Sequence, residues 1–260
     1  MKKWLAADGL YWVTILSACT MGETAADLLS HGPLGLGYAL ASLILGTLVA
    51  LALLLQRLAT VPSEPRYWAT IVVMATAGTT IADYLSRSLA LGYAWSSCAL
   101  VIAFLATLLV GRRASSLRTA ARNGVIAERS SSGQRLVFTP VTDARYWAAI
   151  MVASTLGTTL GDFLSNGTEL GFGRGAILLG VVLATVLFAE HRAGTRSAVR
   201  YWTALVLGST IGATSGDYLT KEEGLNLGYF WGNGLLIAVF VVIALVGRRR
   251  AASAELARAS

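Results

Sequence analysis

The sequence predicts an all-α membrane protein in which eight transmembrane helices form four parallel helical hairpins, pseudo-symmetric about an axis along the membrane normal. Three observations support this prediction: an apolar composition, a motif that recurs four times, and a one-sided distribution of basic residues. Of the 260 residues, 55% are hydrophobic and 13% are charged, and the mean hydropathy is +0.63. These values lie outside the range of ordinary soluble domains.

Long apolar runs recur along the chain at residues 35–55, 91–110, 175–189 and 235–246. Several of them approach or reach the roughly 20 residues that a helix needs to cross ~30 Å of hydrocarbon. Lys2 and Lys3 precede the first apolar segment, but no small-residue cleavage site followed by a polar mature domain appears. The first helix is therefore expected to remain in the protein rather than to act as a cleaved signal.

One motif recurs four times at fixed spacing and defines a repeating unit. Each copy begins with a Tyr-Trp pair, followed by a glycine eleven residues after the tyrosine and an aspartate sixteen residues after it. Threonines stand two residues before and two after the glycine, and a Leu-Gly-aromatic triplet opens a second apolar run. In chain order the tyrosines are Tyr11, Tyr67, Tyr146 and Tyr201, the glycines are Gly22, Gly78, Gly157 and Gly212, and the aspartates are Asp27, Asp83, Asp162 and Asp217.

Each copy is therefore predicted to form two helices joined by a short turn. The predicted boundaries are residues 9–57 for repeat 1, 65–112 for repeat 2, 145–191 for repeat 3 and 199–248 for repeat 4. A basic loop, 113–144, separates the first two repeats from the last two, and residues 249–260 form a tail. The whole chain is interpreted as one membrane domain.

This pattern resembles a bacterial membrane-protein family built from four tandem copies of a repeat of unknown function, each with two transmembrane segments and a characteristic tryptophan. The resemblance covers nearly the whole chain outside residues 112–143 and the tail. It implies the architecture, but it implies no activity and names no active residue.

Basic residues fall mainly on one side of the predicted membrane. With a cytoplasmic N-terminus, 18 of the 21 lysines and arginines lie in inside segments, and only Arg87, Arg174 and Lys221 lie outside. Because basic residues favour the cytoplasmic side, the sequence predicts a multi-pass protein of the bacterial inner membrane with both termini cytoplasmic. The net charge of +7 is then explained by anionic lipid headgroups, and no nucleic acid is expected. A homo-oligomer or an unknown protein partner stays open.

No catalytic module is indicated. The chain contains no Walker loop, dinucleotide fingerprint, HExxH or CxxC motif, and no nucleophile and base stand in a recognisable arrangement. The protein is therefore predicted not to be an enzyme and to have no catalytic or cofactor-binding residues. Cys19 and Cys98 both lie in apolar segments, where a thiol usually behaves as a small hydrophobic group.

The two threonines and the aspartate of each copy share one helix face, in a stripe about 60° wide. The glycine lies roughly opposite this stripe, where it allows another helix to approach closely. The Tyr-Trp pairs are expected in the inner aromatic belt, and each aspartate about 24 Å from its tyrosine, near the outer edge of the hydrocarbon. Four such stripes are predicted to line an outward-facing cup. The pore-lining candidates are Thr20, Thr24, Thr76, Thr80, Thr155, Thr159, Thr210 and Thr214.

The candidate cation ligands are the four aspartates and one glutamate, Glu23, which stands one turn before Asp27. Acidic side chains inside a membrane mark ion or proton sites, and two adjacent carboxylates favour proton coupling. Oxygen ligands suit hard cations such as Mg²⁺, Mn²⁺, Ca²⁺ or Na⁺. The sequence therefore predicts a transporter or channel for a small cation. The candidate ligands are Asp27, Asp83, Asp162, Asp217 and Glu23.

An alternative interpretation stays open, in which the protein is a non-transporting scaffold or accessory protein. Each aspartate stands just before a turn and could accept hydrogen bonds from the N–H groups that open the second helix. The threonines could bond back to carbonyls of their own helix. Arg174 could neutralise an aspartate or extend to the lipid headgroups, and His31 is either an exposed turn residue or a metal ligand at the mouth of the cup.

Overall fold

The computed structural model describes residues 7–61, 63–113, 125–128, 137–140, 142–168, 170–193 and 197–259. It confirms the predicted eight-helix fold. A π-helical turn, Tyr84–Ser88, extends the third helix. The helices are α1 (Gly9–Ser30), α2 (Gly37–Leu58), α3 (Glu64–Asp83), α4 (Gly92–Arg113), α5 (Ala144–Gly167), α6 (Phe172–Ala193), α7 (Ala198–Thr220) and α8 (Gly228–Ala259).

Two segments contain secondary structure that the sequence analysis does not predict. The basic loop between repeats 2 and 3 contains two short antiparallel strands, β1 (Val125–Glu128) and β2 (Val137–Pro140). The last helix continues to Ala259, through residues that were expected to form a tail. Residues 114–124, 129–136 and 141 of the loop lie outside the described part of the chain.

Local signals explain where the helices begin. The side chains of Asp8, Asp143 and Ser197 accept hydrogen bonds from backbone N–H groups three residues later, and so cap α1, α5 and α7. In α3 a proline occupies the first turn, where no N–H is needed. The glycine of every Leu-Gly-aromatic triplet has a φ between +70° and +72°, a conformation that favours glycine and turns the chain into the second helix.

The first helices of the four repeats form a closed ring in which α1, α3, α5 and α7 each contact two neighbours, with α7 returning to α1. The second helices lie outside this ring. Each packs mainly on the first helix of the following repeat: α2 on α3, α4 on α5, α6 on α7, and α8 on α1. The hairpins are therefore interlocked around the pseudo-symmetry axis, and α8 closes the circle.

The motif glycines lie where neighbouring ring helices cross. A Cβ atom on Gly22 would stand 2.6 Å from the Cβ of Ala75, and one on Gly78 would stand 2.8 Å from the Cβ of Ser154. Gly157 and Gly212 meet Ser209 and Cys19 in the same way. This confirms the prediction that the glycine face serves close helix packing, and it explains why the facing residues are small.

The outer helices carry most of the exposed apolar surface, including Leu43, Ile102, Ile177 and Trp231. Five helices, α2, α4, α5, α6 and α8, are long and apolar enough to cross a membrane by length and composition. The other ring helices, α1, α3 and α7, face protein over much of their length. A helix shielded from lipid can span the bilayer with fewer apolar residues, so the whole arrangement suits a membrane bundle.

The side chains of the Tyr-Trp pairs point into the core of the ring. The prediction that they form an aromatic belt at the membrane interface is therefore wrong about their orientation. Tyr11, Tyr67, Tyr146 and Tyr201 are at most 3% exposed, and the adjoining tryptophans at most 7%. The physical reason is that each buried hydroxyl has a hydrogen-bonding partner inside the ring, so burial leaves no polar group unsatisfied.

Candidate functional site

Two polar layers cross the inside of the helix ring. The tyrosine layer consists of Tyr11, Tyr67, Tyr146 and Tyr201, near the start of each ring helix. The aspartates of the carboxylate layer lie sixteen residues further along the same helices, about 24 Å away at 1.5 Å per residue. The carboxylate layer consists of Glu23, Asp27, Asp83, Asp162 and Asp217, together with the cations Arg87 and Lys221.

The four tyrosine hydroxyls form a closed cycle of hydrogen bonds. The O–O distances are 2.8 Å from Tyr11 to Tyr67, 2.5 Å from Tyr67 to Tyr146, 3.0 Å from Tyr146 to Tyr201, and 2.6 Å from Tyr201 back to Tyr11. A hydroxyl both donates and accepts, so each can donate once and accept once around the cycle. At these separations the cycle leaves no opening for water or a hydrated ion.

Aromatic and aliphatic side chains hold this layer in place. Each tryptophan packs against the tyrosine of the preceding repeat: the ring centroids of Trp68 and Tyr11, for example, are 5.6 Å apart. One turn further along each helix stands a buried aliphatic residue that is at most 3% exposed. The ring is thus closed at its tyrosine end by a polar cycle and an apolar layer. The aliphatic residues are Ile15, Ile71, Ile150 and Leu205.

Two cations divide the four aspartates into pairs. The Nζ of Lys221 lies 2.6 Å from Asp217 and 3.4 Å from Asp27, so it joins repeats 4 and 1. The guanidinium of Arg87 lies 3.0 Å from Asp83 and 3.7 Å from Asp162, so it joins repeats 2 and 3. The carboxylates are almost fully buried, with side chains at most 5% exposed.

The cations come from alternate repeats. Arg87 and Lys221 stand four residues after Asp83 and Asp217, whereas His31 and Asn166 occupy the equivalent positions in repeats 1 and 3. Although burial opposes the charge of Lys221, the carboxylates of Asp217 and Asp27 raise the pKa of Lys221 above its usual value. Burial is likewise outweighed at Arg87, whose pKa the neighbouring aspartates raise. Both groups therefore remain charged at any physiological pH.

The aromatic residue of the Leu-Gly-aromatic triplet covers the cations. The guanidinium carbon of Arg87 lies 5.9 Å from the ring centroids of both Tyr38 and Tyr93, and the Nζ of Lys221 lies 5.4 Å from the centroid of Phe172. The Tyr38 hydroxyl also accepts a hydrogen bond from Arg87 at 3.1 Å. These contacts partly replace the water that burial removes from each cation.

Glu23 lies deeper in the ring than the aspartates and is 3% exposed. Its Oε2 atom accepts hydrogen bonds from the hydroxyls of Thr79, at 2.8 Å, and Thr158, at 3.0 Å. Those two hydroxyls are themselves 3.1 Å apart. Because Thr79, Thr158 and Ala213 occupy the Glu23 position in the other repeats, one acidic side chain meets hydroxyls contributed by two other repeats.

Room for Glu23 comes from repeat 4. A Cβ atom on Gly216 would stand 2.9 Å from the Cβ of Glu23. All four aspartates lie within electrostatic range of the Glu23 carboxylate. The structure therefore brings the five predicted acidic residues together, with Glu23 about one helical turn deeper than the aspartates.

All eight predicted pore-lining threonines are buried, and each hydroxyl lies within hydrogen-bonding distance of a carbonyl of its own helix, although that of Thr24 is closer to the side-chain oxygen of Asn233. Thr20, for instance, donates to the Leu16 carbonyl at 2.9 Å, and Thr80 to the Ala77 carbonyl at 3.0 Å. This is the bonding that the alternative interpretation expected. The other six threonines are Thr24, Thr76, Thr155, Thr159, Thr210 and Thr214.

Within the described ranges, no backbone N–H donates to the side chain of any of the four aspartates, so the hairpin-clip geometry is not what these carboxylates show. They contact cations instead. In that same part of the chain no group of three or more His, Cys, Asp or Glu side chains is arranged to hold a metal ion. Binding of a metal by these residues stays a prediction.

His31 and Arg174 both lie at the aspartate end. His31 is exposed, and its Nδ1 lies 3.6 Å from Asp27, so this turn residue borders the carboxylate layer. Arg174 is exposed, and none of the ion pairs found among the described residues involves it. Lys221 and Arg87, rather than Arg174, pair with the aspartates.

Sequence reasoning missed several members of the site, although some left a signal. Arg87 and Lys221 stand one helical turn after an aspartate, the spacing at which side chains meet. Asn233 of α8 left no signal in the sequence. Its side-chain N–H group donates to the carbonyl of Thr24 at 2.8 Å, and its side-chain oxygen accepts a hydrogen bond from the Thr24 hydroxyl at 3.0 Å. The repeat equivalents of Asn233 are not amides, so the motif does not reveal it.

Four segments of the chain, residues 10–61, 66–116, 145–195 and 200–252, match the family described as "Repeat of Unknown Function (DUF347)". These four segments agree in number and order with the four tandem copies seen in the sequence. No curated protein and no solved structure matches the chain.

Proposed function

We propose that this chain, which belongs to the DUF347 repeat family of helical-repeat membrane proteins, binds and transports a small cation through its carboxylate layer. One observation carries the proposal. Five carboxylates lie buried together, and only two permanently charged cations among the described residues, Arg87 and Lys221, contact them. Because an uncompensated buried carboxylate is costly, the layer needs further positive charge.

Protons or monovalent ions satisfy this need most simply. Mg²⁺ requires a near-octahedral set of oxygen ligands, and Arg87 and Lys221 occupy the space between the aspartates of each pair. A divalent ion would have to displace these cations. A proton needs only one oxygen atom, and Glu23, with its two hydroxyl neighbours, is the residue proposed to carry it.

The distribution of basic residues supports an orientation for this process. With both termini cytoplasmic in a bacterial inner membrane, the carboxylate layer faces the periplasm and the tyrosine layer faces the cytoplasm. The hydroxyl cycle and the apolar layer next to it close the cytoplasmic side in this conformation. Transport would then require the ring helices to separate at their tyrosine ends.

The test is reconstitution into liposomes, with uptake of protons, Na⁺, Mg²⁺ and Mn²⁺ measured for the wild type, Glu23→Gln and Asp83→Asn. Glu23→Gln is expected to reduce flux at least tenfold, because the amide cannot take up and release a proton. The matched control is Glu223→Gln, an exposed acid near the aspartate end, which should retain wild-type flux. Correct insertion with no flux of any of the four cations would refute transport.

A non-transporting bundle is the second candidate, and specific observations favour it. The threonine hydroxyls bond to their own helices, and the ring helices cross tightly at their glycines. In a scaffold, the two layers would serve only to fix the order of the helices. If the protein is a scaffold, the wild type should show no cation flux in liposomes. Glu23→Gln should then fold and insert into the membrane as the wild type does.

A further inference from the structure

A groove with a volume of about 480 Å³ lies on the outside of the ring, between α4, α5 and α7. Its walls are mainly apolar and include Leu105 and Leu108 of α4 and Leu160 of α5. Phe104 and Trp202 meet within it, with ring centroids 5.9 Å apart and planes at 75°. The groove opens on the surface where the exposed apolar side chains of the outer helices lie.

The dimensions of the groove suit a single hydrocarbon chain. On α5 its lining extends from Arg145 to Leu160, which is about 22 Å at 1.5 Å per residue. A volume of about 480 Å³ over that length gives a mean cross-section of about 22 Å². The groove is therefore long and narrow, as an extended acyl chain is.

The one cation that lines the groove, Arg145, lies at its tyrosine end beside the carboxylate of Asp143. Arg145 is exposed there, and none of the ion pairs found in the described part of the chain involves it. The neighbouring Asp143 is engaged in accepting a hydrogen bond from the backbone N–H of Tyr146 at 2.8 Å. Helix α4 also ends at this end of the bundle. It is also the end that the distribution of basic residues places at the cytoplasmic surface.

We propose that this groove is a binding site for an anionic phospholipid, with one acyl chain along α5 and the headgroup phosphate at Arg145. The apolar walls take the chain, and the exposed Arg145 attracts a negative headgroup, since anionic lipids are attracted to basic groups at the cytoplasmic surface. The site lies outside the ring and does not depend on whether the carboxylate layer transports a cation.

The test uses the full chain purified in detergent and incubated with vesicles of phosphatidylglycerol or of phosphatidylcholine, with bound lipid counted by native mass spectrometry. The wild type is expected to retain phosphatidylglycerol in preference to phosphatidylcholine. Arg145→Gln should reduce this preference about fivefold, since one basic group near the surface contributes about 1 kcal/mol. Arg249→Gln, an exposed arginine of α8 on the opposite side of the ring, is the matched control and should keep the preference.

A second pair of variants tests the acyl-chain part of the site. Thr203→Phe and Leu108→Trp place bulk in the groove and should reduce retention of both lipids. Retention equal to the wild type in these variants, or no preference for phosphatidylglycerol in the wild type, would overturn the proposal. Cross-linking of two chains through Thr203→Cys would also overturn it, because the groove would then be covered by a second copy.

Discussion

The tyrosine layer and the carboxylate layer lie on the same four helices, but they differ in symmetry and in charge. Each of the four tyrosine hydroxyls bonds to two others, and each tyrosine ring packs against two tryptophans, so the tyrosine layer keeps the four-fold pattern of the repeats. In the carboxylate layer Arg87 and Lys221 divide the aspartates into pairs, and Glu23 has no acidic equivalent.

The difference shows which parts of a repeat protein are free to diverge. A cycle of neutral hydroxyls is satisfied when all its members are identical, because each hydroxyl both donates and accepts. Four identical carboxylates in one buried layer repel one another, and cations must be inserted between them. Two repeats supply the cations, and a third adds the acid that leaves the layer with excess negative charge.

The largest expected effect comes from removing one of the inserted cations. Lys221→Met leaves Asp27 and Asp217 buried without their shared partner and should lower the free energy of unfolding by roughly 3 kcal/mol. Thermal unfolding in detergent, followed by circular dichroism, measures the change. Adding Asp217→Asn to Lys221→Met should recover a large part of the loss. A double variant as unstable as the single one would contradict the assigned pairing.

An intermediate and uniform effect is expected in the tyrosine layer. Each single Tyr→Phe substitution at Tyr11, Tyr67, Tyr146 or Tyr201 removes one hydroxyl from the cycle and should cost about 1–2 kcal/mol, since a neighbour loses a partner while buried. The same unfolding measurement should give four values that agree within about 0.5 kcal/mol, the scatter expected of equivalent sites. The four Asp→Asn variants at Asp27, Asp83, Asp162 and Asp217 should give unequal losses of stability. If the four Tyr→Phe losses were equally unequal, the two layers would not differ in symmetry.

The smallest effect on stability is expected at Glu23. Gln keeps an oxygen that accepts from Thr79 and Thr158 and removes one charge from a layer with excess negative charge, so Glu23→Gln should change the unfolding free energy by less than about 1 kcal/mol. The same variant is expected to have the largest effect in transport assays. A small loss of stability with a large loss of flux would separate the role of Glu23 from the structural role of Lys221 and Arg87. A loss of stability as great as that of Lys221→Met would assign Glu23 a structural role.

Much of the fold was readable from the spacing of the repeat. The Tyr-Trp pair, the glycine and the aspartate at fixed intervals predicted four hairpins and eight helices, and the family match and the structure confirm both. The glycine face was also predicted correctly, since only a residue without a side chain fits where two helix backbones approach closely.

The sequence could not show which helix each outer helix packs against, or where the aromatic side chains point. An interfacial belt and a buried cycle require the same residues at the same depth, and only the closed ring of α1, α3, α5 and α7 distinguishes them. The threonines raised a similar ambiguity, because a hydroxyl on a polar stripe can line a path or bond to its own helix, and the helix carbonyls lie within reach.

By itself, the sequence determined the membrane character, the four-fold repetition and the positions of the acids along each helix, because composition and spacing are properties of the chain. Only the tertiary structure decided which acids share a cation, that Glu23 meets hydroxyls of repeats 2 and 3, and that the tyrosines close one end. Those contacts between repeats join residues 55 to 194 positions apart, and only the closure of the ring brings such distant residues together.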